Sequence, residues 1–311
     1  MNKTPLFIAF GAGVFLITAG YLLVQRWQQW SAPVAPGEQP QVVAAPKIDL
    51  PRAPVPPSLP APVVTAPQVI QDDAPLQPGR YSPYGLPCDV TLSTRVTVAA
   101  QVALTLQANC ALSQPLTVRH AGLRFSGHTD EQGSYRVLVP ALEKDALFKV
   151  DFADGQGVQV HVTVPDAPLY RRVVLQWQGD QGVSLHAREF GAGYGAAGHV
   201  WTEAPSQPED AAARRGGYLS VLGLPDAAGG LHAQVYSIPR GVDRLQGVVR
   251  ISIEAEVTTQ NCGKAAVAET LQPGLGGLQV AGLQVAMPDC TAVGEFVVLK
   301  NVLRDLKIAR N

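Results

Sequence analysis

The sequence predicts an all-β protein: two β-sandwich-like domains behind an N-terminal transmembrane helix and a disordered Pro-rich linker. Three observations carry this prediction: a charge-free apolar run near the N-terminus, a dense proline tract after it, and repeated period-two alternation from residue 88 onward. The expected order is a cytoplasmic N-terminus at 1–5, a transmembrane helix at 6–24, a tether at 31–87, a first β-sandwich at 88–166 and a second β domain at 169–311.

The anchor is the run LFIAFGAGVFLITAGYLLV from Leu6 to Val24. At a rise of about 1.5 Å per residue it nearly crosses a hydrocarbon core of about 30 Å. Tyr21, Trp27 and Trp30 stand at or beyond its C-terminal end, where amphipathic rings favour the headgroup region, and Arg26 can snorkel there. The run is longer than the apolar part of a usual signal peptide and no A-x-A site follows, so an uncleaved anchor is expected.

Fifteen prolines lie between Ser31 and Pro87, many in Ala-Pro and Val-Pro pairs. Proline lacks an amide donor and restricts the residue before it, so neither helix nor central strand propagates through this stretch. An extended, mainly polyproline II tether is expected, giving reach rather than recognition. With 24 Lys and Arg against 25 Asp and Glu, the net charge of −1 supplies no electrostatic footprint for nucleic acid.

The four cysteines, Cys88, Cys110, Cys262 and Cys290, all follow the tether and contain no CxxC or CxxH spacing. An even set of this kind favours disulfides over zinc or redox chemistry. Of three possible connectivities the simplest joins neighbours, Cys88 with Cys110 and Cys262 with Cys290; the chemical alternative is a nucleophilic Cys262 in TQNCGK. Disulfides persist in oxidising compartments, which places the β region outside the cytoplasm and, with the anchor, predicts a single-pass protein of the bacterial inner membrane with periplasmic C-terminal domains.

The first β region alternates through VTLSTRVTVAAQVALTLQANC, LTVRHAGLRFSG, SYRVLVPAL and FKVDFADGQGVQVHVTV. Thr129 to Ser134 and Asp154 to Gly157 are polar turns, read as hairpin signals. The run from Ala103 to Val164 resembles the carboxypeptidase regulatory-like or transthyretin-like β-sandwich family, chiefly in GLRFSGHTDEQGSYRVLVPAL followed by FKVDFADG. That resemblance implies a compact Ig-like module for support, spacing or binding and carries no catalytic residues. The chain as a whole also looks similar to membrane-anchored proteins of alphaproteobacteria, some labelled translocases, with no motif that carries the label.

Eight further strand segments, YRRVVLQWQ, GVSLHAREF, GHVWTEA, GYLSVLG, HAQVYSI, VVRISIEAEVT, LQVAGLQVAMP and EFVVLKNV, predict a second sandwich or jelly-roll. The tandem GLQVA repeats at Gly277 and Gly282 suggest a kinked strand or a hairpin. Gly193, Gly195 and Gly198 match GxGxxG, yet HVWTEAP follows as a strand, so a surface loop is expected rather than a dinucleotide site. The six histidines never pair at a ligand spacing, and Ser220 in YLSVL lacks the glycines of a nucleophile elbow.

Trp177, His186, His199 and Trp201 form the densest group of aromatic and imidazole side chains, and neighbouring strands would bring them to one face as a candidate binding surface. No catalytic, metal or cofactor site is expected. The expected role is a non-enzymatic envelope protein that binds or scaffolds an envelope protein or glycan; the alternatives are an accessory of protein translocation or secretion, and an extracytoplasmic hydrolase with its site assembled from distant strands.

Overall fold

Alternation in the first region resolves into seven strands: β1 (Val90–Thr97), β2 (Gln101–Ala108), β3 (Pro115–His120), β4 (Leu123–His128), β5 (Ser134–Pro140), β6 (Asp145–Phe152) and β7 (Gly157–Thr163). They form a three-stranded sheet in the order β1-β2-β5 and a four-stranded sheet in the order β4-β3-β6-β7, with all neighbours antiparallel. This computed structural model describes residues 81–82, 85, 87–224, 229–241, 246–274 and 277–308. The expected anchor and nearly all of the expected tether lie outside those residues. Among the described residues no helix is long and apolar enough to cross a membrane.

The two polar turns behave differently. Asp154 Oδ1 accepts from the Gln156 amide and closes the β6–β7 hairpin, as expected. Asp130 Oδ1 accepts from the amides of Gln132 and Ser134, but β4 and β5 belong to different sheets, so this turn carries the chain from one sheet to the other and is not a hairpin. The local turn chemistry is the same in both. Which strand pairs with which is decided by the core, where Leu104, Leu106, Phe125 and Phe148 are fully buried between the sheets.

The second region contributes β8 (Tyr170–Gln178), β9 (Val183–Glu189), β10 (His199–Val200), β11 (Tyr218–Leu222), β12 (Leu231–Pro239), β13 (Gly247–Glu256), β14 (Ala265–Gly274), β15 (Gly277–Ala286), β16 (Phe296–Lys300) and β17 (Leu306–Ile308), with a one-turn helix α1 (Pro208–Ala212). A third sheet has the order β11-β12-β8-β14-β15, and a fourth runs β10-β9-β13-β16 with β17 also on β13. The described chain is thus predominantly β, in antiparallel sheets. β14 is absent from the sequence expectation: its Ala-rich run, ending in Pro-Gly, carries little β-branched or aromatic signal.

The third sheet is buried on both faces, which explains the consecutive apolar residues Val173, Val174 and Leu175 of β8. Val173 and Leu175 face the fourth sheet with Leu185, Ile251 and Ile253, whereas Val174, Val235 and Leu271 join the core of the first region. The GLQVA repeat obeys the same demand. It forms one strand paired residue by residue with β14, and because five is odd its two copies present Leu and Val to opposite faces. Leu278 packs towards the first core and Leu283 and Val285 towards the second, so the kinked or hairpin form is not adopted.

Polar contacts lock the two regions together. Gln176 accepts from the Arg124 amide and donates to the Gly122 carbonyl, while the Arg124 guanidinium lies 2.8 Å from Glu269. The buried Arg172 guanidinium donates to the carbonyls of Ala99, Ala100 and Ala167. Ala99 and Ala100 both have φ of 54°, a left-handed conformation that costs about 1–2 kcal/mol per residue with a Cβ, so Arg172 holds a strained corner in place. Disulfides join Cys88 to Cys110 and Cys262 to Cys290, the neighbour pairing, and among the described residues no cysteine is free. In the chain-entropy model each stabilises by about 3 kcal/mol, and the bonded Cys262 is not available as a nucleophile.

Candidate functional site

The site grows out of the register of the fourth sheet. On β9 and β13, Val183, Leu185, Ala187, Ile251, Ile253 and Ala255 point into the core, so the residues between them point outwards. Cross-strand partners share a face, and the register sets Arg188 opposite both His199 and Arg250, His186 opposite Ser252, Ser184 opposite Glu254, and Glu256 opposite Phe296. Continuing the β10 register by one residue brings Trp201 beside His186, with ring centroids 5.1 Å apart. Of the four residues grouped from sequence, His186, His199 and Trp201 therefore meet on this face. Trp177 does not: it lies on β8 in the third sheet, stacked on its cross-strand partner His232 at 5.6 Å.

His186, His199 and Trp201, with Ser184, Glu254, Glu256 and Phe296, line a cleft of about 600 Å³, closed on one side by the glycine-rich loop between β9 and β10. Tyr194 from that loop meets the His199 ring edge-on at 5.1 Å, and His199 stacks on Trp201 with an interplanar angle of 6°. Gln234 reaches across from β12. Its side-chain oxygen accepts from the Leu185 amide and its nitrogen donates to the Thr202 hydroxyl. Because β10 is only two residues long, β9 has backbone groups without a strand partner at this end, and Gln234 supplies one.

A chain of hydrogen bonds crosses the floor of the cleft and has one direction. The Gly195 amide can only donate, and it donates to His199 Nδ1 at 3.0 Å. In a neutral ring the His199 proton then sits on Nε2 and is donated to His186 Nδ1 at 2.9 Å. His186 in turn carries its proton on Nε2 and donates it to Ser184 Oγ at 2.9 Å. Ser184 passes its own proton to the Glu254 main-chain carbonyl at 3.5 Å. Both rings are neutral because burial lowers their pKa: His186 falls to about 4, with the pull of Glu254 in the opposite direction outweighed, and His199 is lowered as well.

Consequently Ser184 is not activated. A general base must offer an unprotonated nitrogen to the hydroxyl, and here His186 offers an N–H. GxGxxG contributes through Gly195, whose φ is 71° and whose amide, donated to His199, sets the tautomers; the motif is followed by a strand and not by a helix. Among the described residues no group of His, Cys, Asp and Glu is arranged to hold a metal ion.

No protein-family model matches this chain, and neither does any curated protein. The cleft therefore stands on its own geometry. Sequence reasoning missed Ser184, Tyr194, Glu203, Glu254, Glu256 and Phe296, which also line it. A signal was present for some of them: in VVRISIEAEVT, polar residues alternate with Val and Ile at positions 250, 252, 254 and 256, marking a strand with a polar outer face.

Proposed function

We propose that this chain is a membrane-anchored, periplasmic binding protein of the bacterial cell envelope, and that the cleft over the fourth sheet is its recognition site. The observation that carries the reading is the direction of the proton chain from Gly195 to Ser184, which suits a fixed, neutral binding surface and disfavours a serine hydrolase. A concave site with aromatic walls and a few fixed polar groups supports ligand binding. The apolar run at 6–24, the prolines that follow and the paired cysteines support the placement outside the inner membrane. We read the β part as two sandwich-like layers in which the first, with its transthyretin-like resemblance, spaces and supports the second.

Two measurements on the full chain test this. A photo-crosslinking phenylalanine derivative in place of Phe296, at the rim of the cleft, is expected to capture an envelope protein or glycan in living cells, whereas the same group in place of the exposed Val267 on β14 captures none. Equal capture at both positions, or none at either, refutes the reading. A fluorophosphonate probe is expected to leave Ser184 unlabelled; labelling lost in Ser184→Ala would establish the hydrolase instead.

A further inference from the structure

The charges on the outer face of the fourth sheet are sorted along the strands. Arg188 and Arg250 pair at one end, Ser184 and Glu254 pair four residues further along, and Glu256 lies beyond them. Four strand residues span about 13 Å. The Arg188 guanidinium is held over the Tyr194 ring at 4.6 Å. The lining of the cleft contains three carboxylates, Glu203, Glu254 and Glu256, and among the described residues no lysine or arginine.

Glu254 points to an occupant. The residue is only 8% exposed, it lines the cleft, and its Oε1 has no hydrogen-bond partner among the described residues. Its Oε2 lies 3.7 Å from His186 Nε2, a neutral ring, and the Tyr194 side chain hydrogen-bonds the carboxylate, so among the described residues Glu254 has polar neighbours but no lysine or arginine in an ion pair with it. A buried carboxylate without a cation is unfavourable, and a ligand that brings one relieves it. The same lining holds Trp201 and the rings of Tyr194 and Phe296, which are 50% and 58% exposed. Electron-rich ring faces attract organic cations, and a carboxylate binds an ammonium by charge-assisted hydrogen bonds.

We propose that the cleft binds an alkylammonium group, with Glu254 and Glu256 as its counter-charges and Trp201, Tyr194 and Phe296 as its aromatic wall. This rests on the binding reading above and names the ligand class for the same site. Two sources offer that chemistry: a lysine side chain of an extended peptide, and a small free amine.

The test is calorimetric titration of the detergent-solubilised full chain with N-acetyl-lysine methylamide, its uncharged counterpart N-acetyl-norleucine methylamide, and spermidine. The lysine probe or spermidine is expected to bind, the norleucine probe at least tenfold more weakly. Tighter binding of the lysine probe identifies a peptide as the source, and tighter binding of spermidine a free amine. Glu254→Gln, which keeps the shape of the side chain, is expected to weaken binding at least tenfold and Glu256→Gln by two- to threefold. Equal affinity for the charged and uncharged probes, no binding of either amine, or an unchanged affinity in a folded Glu254→Gln variant each overturns the proposal. The probe comparison uses the unaltered protein, so a variant that fails to fold does not decide the matter. If no amine binds while crosslinking from position 296 persists, the ligand class is wrong and the binding reading stands; loss of both removes both.

Discussion

His120 in the first region and His186 in the second are both buried imidazoles with a pKa of about 4, yet their surroundings put them to different uses. His120 donates from Nδ1 to the Leu147 carbonyl, accepts at Nε2 from the Leu142 amide, and stacks on Phe148 at 4.3 Å. Both nitrogens are matched by backbone, so the ring is part of the frame. His186 spends its nitrogens on side chains, His199 and Ser184, which belong to the floor of a cleft. An imidazole saturated by backbone is fastened into the core, whereas one linked through other side chains can hold a surface in a chosen proton arrangement.

The contrast breaks most visibly on truncation. His120→Ala leaves an amide and a carbonyl unpaired beside a void next to Phe148, and urea unfolding is expected to show a loss of about 4 kcal/mol. Crosslinking from position 296 should be unchanged wherever the variant is folded. A loss below about 1 kcal/mol would remove the structural role assigned to His120.

Acid gives the next largest effect. The folded pKa of His120, about 4, lies below its ordinary value of 6.5. The unfolded chain therefore binds the proton first as pH falls, so stability is complete above about 6.5 and declines towards pH 4. The change from this residue alone is roughly 3 kcal/mol, caused chiefly by burial, with the hydrogen bond to the Leu147 carbonyl opposing it and the nearby Arg172 charge adding to it. Unfolding free energy measured across that range should slope accordingly, and a flat profile would contradict the buried neutral ring.

For the second ring the expectation reverses: His186→Asn should cost about 1 kcal/mol in stability while abolishing capture from position 296. Full capture with the variant would separate the ring from ligand binding. The smallest effect belongs to Gly195→Ala. Space is open around its Cα, but φ is +71°, so strain of about 1 kcal/mol or less is expected. The amide remains, His199 keeps its tautomer, and capture should change by less than twofold. Nitrogen chemical shifts of the His199 ring report directly whether the tautomer holds.

Legibility in the sequence followed the range of the interaction. Polar turns at 129–134 and 154–157 are readable because Asp binds amides two residues on, but only the second proved a hairpin, since sheet membership is set by packing far along the chain. β14 escaped notice because its burial depends on neighbours and not on its own composition. The structure brings His186, His199 and Trp201 together and leaves Trp177 in a different sheet, which spacing along the chain does not reveal. Glu254 lies 68 positions beyond His186, and only register makes them neighbours.

By itself the sequence determined the β character of the described chain, through period-two alternation, and the even set of cysteines that pairs within it. Local sterics and side-chain periodicity suffice for both. Tertiary structure decided that one sheet is buried on both faces, that a five-residue repeat serves two cores, and that a backbone amide at Gly195 orders the protons of a cleft. Those outcomes depend on contacts between residues distant in the chain, whose free energy appears only once the sheets have closed on one another.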